Sequence, residues 1–185
     1  SRSKNLLYRH LPSHGADNKL PIVVIEREKA LQLRRLLAKG HQLSFNAKLN
    51  IADEQPYRSA NIIAEIPGSN LAEQVVLIGA HIDSFDLGTG ALDNGSNVSL
   101  VIDIARQIKQ LNIIPRRTIR FVLFNGEEQG LFGSWGYTKQ HLDELKDHVI
   151  ASTIDIGTGK ITGFFTNGRA EIIPALEQVL APVSS

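Results

Sequence analysis

The chain has 185 residues, of which 42% are hydrophobic and 21% charged, and a formal net charge of +1. That is one ordinary domain, or one domain and a piece of another; no apolar run reaches the length that spans a bilayer, and Ser1 to His10 is too polar and basic to read as a secretory signal. The near-zero net charge hides an asymmetry, with ten Lys/Arg against three Asp/Glu in residues 1–50 and ten against sixteen in residues 51–185, which suggests two parts meeting near 51–60; the basic charges are dispersed and lack interleaved aromatics, which argues against nucleic acid as a partner.

In chain order, residues 1–19 show little periodicity and read as loop. Leu20 to Ile25 reads as a short buried strand, and Glu26 to Lys39 as a helix with Ala30, Leu33, Leu36 and Leu37 on one face and Gly40 as its stop. Gln42 to Ile51 alternates Leu43, Phe45, Ala47, Leu49 and Ile51, the pattern of a half-buried strand. This piece has too few elements to enclose a core of its own. Ala52 to Pro56 is a polar linker.

Beyond it, Ala60 to Ile66 is a strand closed by Pro67-Gly68, and Val75 to Ile78 an apolar strand leading into His81. Asn97 to Leu111 is a helix with Val98, Val101, Ile102, Ala105 and Ile108 on one stripe. Thr118 to Phe124 is a strand, Ser134 to Asp147 a mostly amphipathic helix, Val149 to Ile156 a strand, Thr162 to Phe165 a brief strand, and Ala170 to Leu180 a last helix. Alternating strands and helices with continuously apolar strands predict an α/β fold. Its sheet is mixed but largely parallel, with helices on both faces.

Ligands of such sheets bind beyond the carboxyl ends of the strands. His81 and Asp83 follow one strand, Glu127 and Glu128 another, and Asp155 a third; Asp93 stands at the start of the helix after the first. Singly, each has an ordinary reading. Asp93-Asn94 can cap a helix, Glu127-Glu128 can favour a helix dipole, Asp83 and Asp155 can be turn residues, and His81 can be a hydrogen-bonded core histidine. Together they form a rim of acids that repel one another unless a cation lies between them. With no cysteine in the chain, a metal must be held by His, Asp and Glu, a set that suits zinc, with cobalt or manganese as substitutes. Asp93 can give one carboxylate oxygen to each of two ions. The paired glutamates can divide the work, one binding metal and its neighbour moving a proton. His141 and His148, around a polar helix end, read as solvated or matched to the helix dipole.

The segments GAHIDSFDLGTGALDNGSN, RRTIRFVLFNGEEQGLFGS and ASTIDIGTGKITGF resemble the co-catalytic dizinc aminopeptidase family, on its bacterial leucyl-aminopeptidase-like and plasma glutamate carboxypeptidase-like side. The resemblance covers roughly residues 20–185. It implies a zinc-exopeptidase-like fold and hydrolysis of short peptides by a metal-activated water, as an aminopeptidase or dipeptidase. It implies His81 and Asp155 on one zinc, Asp93 bridging to a second, Glu128 on the second, Glu127 as general base and acid, and Asp83 orienting the imidazole. It further implies that 1–55 is the C-terminal part of a protease-associated domain and 56–185 the N-terminal part of the catalytic domain, in a secreted or periplasmic protein of open oligomeric state. Two departures stand out. No histidine follows His148, so the family's last ligand to the second metal is expected after Ser185; with no methionine in the chain, this reads as a piece cut at both ends, inactive alone. Asn97 also stands where a glycine is usual. Two rivals share the fold: a glutaminyl-cyclase-like acyltransferase with one zinc, and a non-catalytic receptor-like domain.

Overall fold

The computed structural model describes residues 25–46, 48, 58–85, 88–155 and 157–183. The chain divides into two compact units, residues 1–58 and 59–185. In the first, α1 (Arg27–Ala38) is the regular element among the described residues. It ends at Gly40, whose φ of 81° suits a residue without Cβ. On its expected apolar face Ala30 and Leu36 are half-buried, while Leu33 and Leu37 are exposed. The strand expected from Gln42 does not form over 42–46, where Leu43 and Phe45 are exposed. Alternation makes a strand only when a neighbour completes its hydrogen-bond ladder, and the described residues of this unit supply none. The expected strand at 20–24, the rest of the second strand at 47 and 49–51, the loop at 1–19 and the linker at 52–56 lie outside the described residues.

The second unit is built on a four-stranded sheet. Its strands are β1 (Ile62–Ile66), β2 (Leu71–His81), β3 (Arg117–Phe124) and β4 (His148–Thr153), in the order β1-β3-β2-β4. β1 runs antiparallel to β3; β2 is parallel to both β3 and β4. The register pairs His81 with Phe124 and Gly79 with Thr153. Three parallel strands therefore finish nearly level, and the chain leaves all three at one rim.

Alternation along the strands divides the core between the two faces. Ala80, Phe121 and Leu123 meet Val101 of α2 (Ser96–Gln110), with Val98, Ile104, Ala105 and Ile108 packed around them. Ile102, expected in that stripe, lies about 100° around the helix from Val101 and faces outward, 54% exposed. On the other face Leu77, Val122 and Phe124 meet Tyr137 of α3 (Phe132–Gln140).

The helix expected over Ser134 to Asp147 breaks at His141, and a tight turn covers Leu142–Asp147. His141 and His148 are half-buried rather than solvated. His141 stacks on Tyr137 with ring centroids 4.3 Å apart and places Nδ1 2.6 Å from Glu144 Oε1. Arg120 donates to Tyr137 Oη (2.7 Å) and Glu144 Oε2 (3.0 Å), and pairs with Glu65. Tyr137 Oη lies 2.8 Å from His148 Nε2, and His148 Nδ1 donates to the Glu144 carbonyl at 2.9 Å. With Arg120 already donating to it, the hydroxyl keeps its own proton free for His148 Nε2.

The brief strand expected at Thr162 to Phe165 is absent, and Phe165 is 95% exposed; it too has no adjacent strand among the described residues. The last helix is a short turn, Ala170–Ile172, followed by α4 (Ile173–Leu180).

Gly79 sets how closely β2 and Phe124 approach. A Cβ there would lie 2.8 Å from both Phe124 Cε2 and the Val122 carbonyl oxygen. Gly79→Ala should lower stability by about 1–3 kcal/mol, the usual range for overpacking, as measured by urea denaturation. Unchanged stability would mean that the ring moves aside freely.

Candidate metal centre

The rim is built from three strand ends and one turn. His81 is the last residue of β2 and is 5% exposed. Its Nδ1 lies 3.0 Å from the backbone carbonyl of Asp83, which makes Nδ1 the protonated nitrogen and turns Nε2 toward the rim. The Asp83 carboxylate does something else. Its Oδ1 accepts from the Glu127 amide and its Oδ2 from the Glu128 amide, each at 3.0 Å, while Oδ1 stands 3.6 Å from His81 Nδ1. Asp83 thus grips the imidazole through its backbone and the Glu127-Glu128 loop through its side chain.

That loop is pinned from its other side by Asn61. The Asn61 side chain donates to the Gly133 carbonyl at 2.8 Å and accepts from the Asn125 amide at 3.0 Å. A Cβ at Gly133 would meet the Asn125 carbonyl and Asn61 Oδ1, so only glycine lets α3 start this close. Sequence reasoning did not single out Asn61. It precedes an edge strand, and its partners stand more than sixty residues away.

Asp93 lies in a wide turn, Ala91–Gly95, where it leaves helical geometry (φ −117°, ψ 95°). Asp155 follows β4 by two residues, carried there by Ile154, whose amide donates to the Gly79 carbonyl at 2.8 Å. The structure brings all six residues expected at the site together. From His81 Nε2 it is 3.0 Å to Asp93 Oδ1, 3.6 Å to Asp155 Oδ1 and 3.9 Å to Glu127 Oε2. Two triplets offer ligand atoms within 4.8 Å of one another, His81/Asp93/Asp155 and His81/Glu127/Glu128.

These groups fit a metal on three physical grounds. A tetrahedral ion with bonds of about 2.0–2.2 Å holds its ligand atoms roughly 3.3–3.6 Å apart, close to the His81–Asp93 and His81–Asp155 separations. Glu128 Oε1 is buried and has no hydrogen-bond partner among the described residues, an arrangement that costs free energy unless a cation satisfies it. Protonation is displaced at two of these groups. Burial, then the charges of Asp93 and Glu127, push Glu128 up to about 7. For His81, burial favours the neutral ring, but Asp155, Glu127 and Asp83 outweigh it and raise the pKa.

Open cavities flank it. One of about 380 Å³ is lined by His81, Glu127, Asp155, Phe124, Leu131 and Ser134, among others. Another, of about 260 Å³, is lined by Ser84, Phe85, the stretch Gly88 to Asp93, and Glu128.

A largely parallel sheet that gathers one imidazole and several carboxylates beyond its strand ends is a frame for metal-ion binding. The chain belongs to peptidase family M28, whose family model matches residues 61–184; peptidases of this family are metal-dependent. It is 34% identical over 169 residues to carboxypeptidase Q of Xenopus laevis, covering 90% of this chain and 36% of that protein. Human carboxypeptidase Q is 32% identical over 163 residues, covering 88% and 34%. A probable lipoprotein aminopeptidase, LpqL, of Mycobacterium tuberculosis is 31% identical over 161 residues, covering 86% and 31%. Among solved structures, an M28 peptidase precursor from Shewanella amazonensis superposes with a TM-score of 0.57 at 43% identity, covering 66% of this chain and 28% of that one. The chain spans about a third of the length of these curated relatives.

The raised pKa values set a pH dependence for the metal-free protein. A group whose folded pKa is raised contributes stability below its unfolded pKa and loses it as pH rises through the folded value. For Glu128 that window runs from its ordinary 4.5 to about 7, and His81 acts in the same direction above 6.5. The metal-free melting temperature should fall as pH rises through this window, and Glu128→Gln should blunt the fall. A Glu128→Gln profile parallel to wild type would remove Glu128 as its source.

Proposed function

We propose that this chain forms the metal-binding part of a zinc-dependent exopeptidase, an aminopeptidase or dipeptidase acting on short peptides. The observation that carries the reading is the convergence of His81 Nε2 with Asp93, Asp155 and the unsatisfied Glu128 Oε1 at one rim. Membership of an M28 peptidase family supports it, as do relatives named carboxypeptidase and aminopeptidase.

In this reading His81 and Asp155 would hold one zinc ion and Glu128 a second, with Asp93 a ligand available to both. Bound zinc supplies Lewis-acid polarisation of the peptide carbonyl and acidifies water for attack on it. Glu127 would serve as the general base and acid of the hydrolysis, accepting a proton from water and returning it to the leaving amine. Its backbone amide, held by Asp83, keeps the glutamate at the rim while its carboxylate turns over protons. The Asp83 carbonyl keeps Nδ1 of His81 protonated, so that Nε2 presents its lone pair. The two flanking cavities supply room for substrate on either side of the scissile bond.

We further read residues 1–55 as the end of a protease-associated domain and 56–185 as the first part of the catalytic domain. The chain's division into two compact units agrees with that reading. A secreted or periplasmic setting accords with a relative named a lipoprotein aminopeptidase; among the described residues no helix is long and apolar enough to cross a membrane.

Glu127→Gln in the intact protein tests the division of labour. Metal content should stay at the wild-type level and turnover of a dipeptide should fall by about 10²–10⁴-fold, the usual contribution of a positioned acid–base group. Near-normal turnover would take Glu127 out of the mechanism.

A further inference from the structure

Asn97 is 5% exposed and Asn94 1% exposed at the start of α2. The Asn97 side-chain amide donates to Asn94 Oδ1 at 2.6 Å, and the Asn94 amide donates in turn to the Ile154 carbonyl at 3.1 Å. The middle of this relay and its far end each adjoin an acid at the rim. Asn94 follows Asp93, and Ile154 precedes Asp155. Asp93 and Asn94 both leave helical geometry, and the backbone joins the turn to α2 through the Ser96 amide, which donates to the Ala91 carbonyl ahead of Asp93. We infer that Asn97 is a positioning residue of the metal centre, which orients Asn94 and so sets the placement of Asp93 against Asp155 around His81.

Buried amides cost free energy unless both of their ends are satisfied. Asn94 has one side-chain acceptor and uses its NH₂ on the Ile154 carbonyl; Asn97 supplies the donor that fixes which way round the amide lies. Consecutive amides in one donor-to-acceptor sequence also polarise one another. A residue at 97 without a side-chain amide leaves Asn94 Oδ1 buried and undirected, and the turn bearing Asp93 loses its tie to β4. A glycine at this position would have no side-chain amide to offer Asn94. Asn97 touches none of the rim carboxylates in the contacts described and acts through Asn94.

This inference rests on the metal-centre reading, and its test separates the two. The intact protein is stripped of metal and titrated with cobalt(II), following both affinity and the visible absorption of the bound ion. Two variants are compared with wild type: Asn97→Ala, and Asn97→Leu, which keeps most of the buried volume should the smaller residue fail to fold. The expected result is cobalt affinity about 10- to 100-fold weaker, the range for losing a residue that orients metal ligands, with a changed visible spectrum and unchanged secondary structure by circular dichroism. Wild-type affinity and spectrum in a folded variant, even one with a lower melting temperature, would make Asn97 a packing contact and overturn the inference alone. Failure of the wild-type protein to bind cobalt would overturn the metal-centre reading and this inference with it.

Discussion

One constraint governs the second unit: a buried imidazole stands among several carboxylates at one rim. His81 faces Asp93, Glu127 and Asp155 at 3.0–3.9 Å, with Asp83 and Glu128 close behind. Such crowding is unfavourable unless protons or a cation intervene. The remaining architecture of the rim holds these groups in place against their repulsion. Asp83 uses both carboxylate oxygens on the Glu127 and Glu128 amides, Asn61 anchors the same loop from outside, and Asn94 ties the Asp93 turn to β4.

A second polar cluster on the same sheet sharpens the point. Arg120, in the middle of β3, draws in Glu65 from β1 and Glu144 from the turn after α3, with Tyr137, His141 and His148 completing the set. That cluster contains its own fixed cation, and the pairings of Arg120, Tyr137, His148 and Glu144 are mutually satisfied. It joins β1, β3, α3 and β4 into one body. The rim has no arginine or lysine in the contacts described, and it leaves a buried Glu128 oxygen without a hydrogen-bond partner among the described residues. The first arrangement is what a structural ion-pair network looks like; the second is what a metal centre looks like before its ion is counted.

Much of this was legible in the sequence, because it depends on local pattern. The short, mostly apolar runs at Val75–Ile78 and Thr118–Phe124 read as buried strands, and an acid or histidine just past such a strand falls on the ligand-binding edge of the sheet. The mixed, largely parallel sheet and the gathering of His81, Asp83, Asp93, Glu127, Glu128 and Asp155 are consequences of that placement. The features that were not legible depend on partners distant in the chain. Phe45 and Phe164 lie in runs with strand-like composition, yet a strand exists only where another completes its ladder. His141 and His148 look like surface histidines until Arg120 and Tyr137, from other elements, are placed beside them. The direction of the Asp83 carboxylate, toward two amides rather than the ring, is set by how the loop after β3 folds back, and spacing along the chain carries no record of it.

If the acids at the rim exist to hold a pair of metal ions, zinc should settle there as a pair. Crystals of the intact protein grown with zinc, measured for anomalous scattering at the zinc absorption edge, test this directly. Two peaks are expected about 3.5–4 Å apart, the usual spacing of a two-metal hydrolytic site, with Asp93 shared between them, His81 Nε2 and Asp155 on one and Glu128 on the other. A single peak that Asp93 does not bridge, or zinc bound away from His81 altogether, would contradict it.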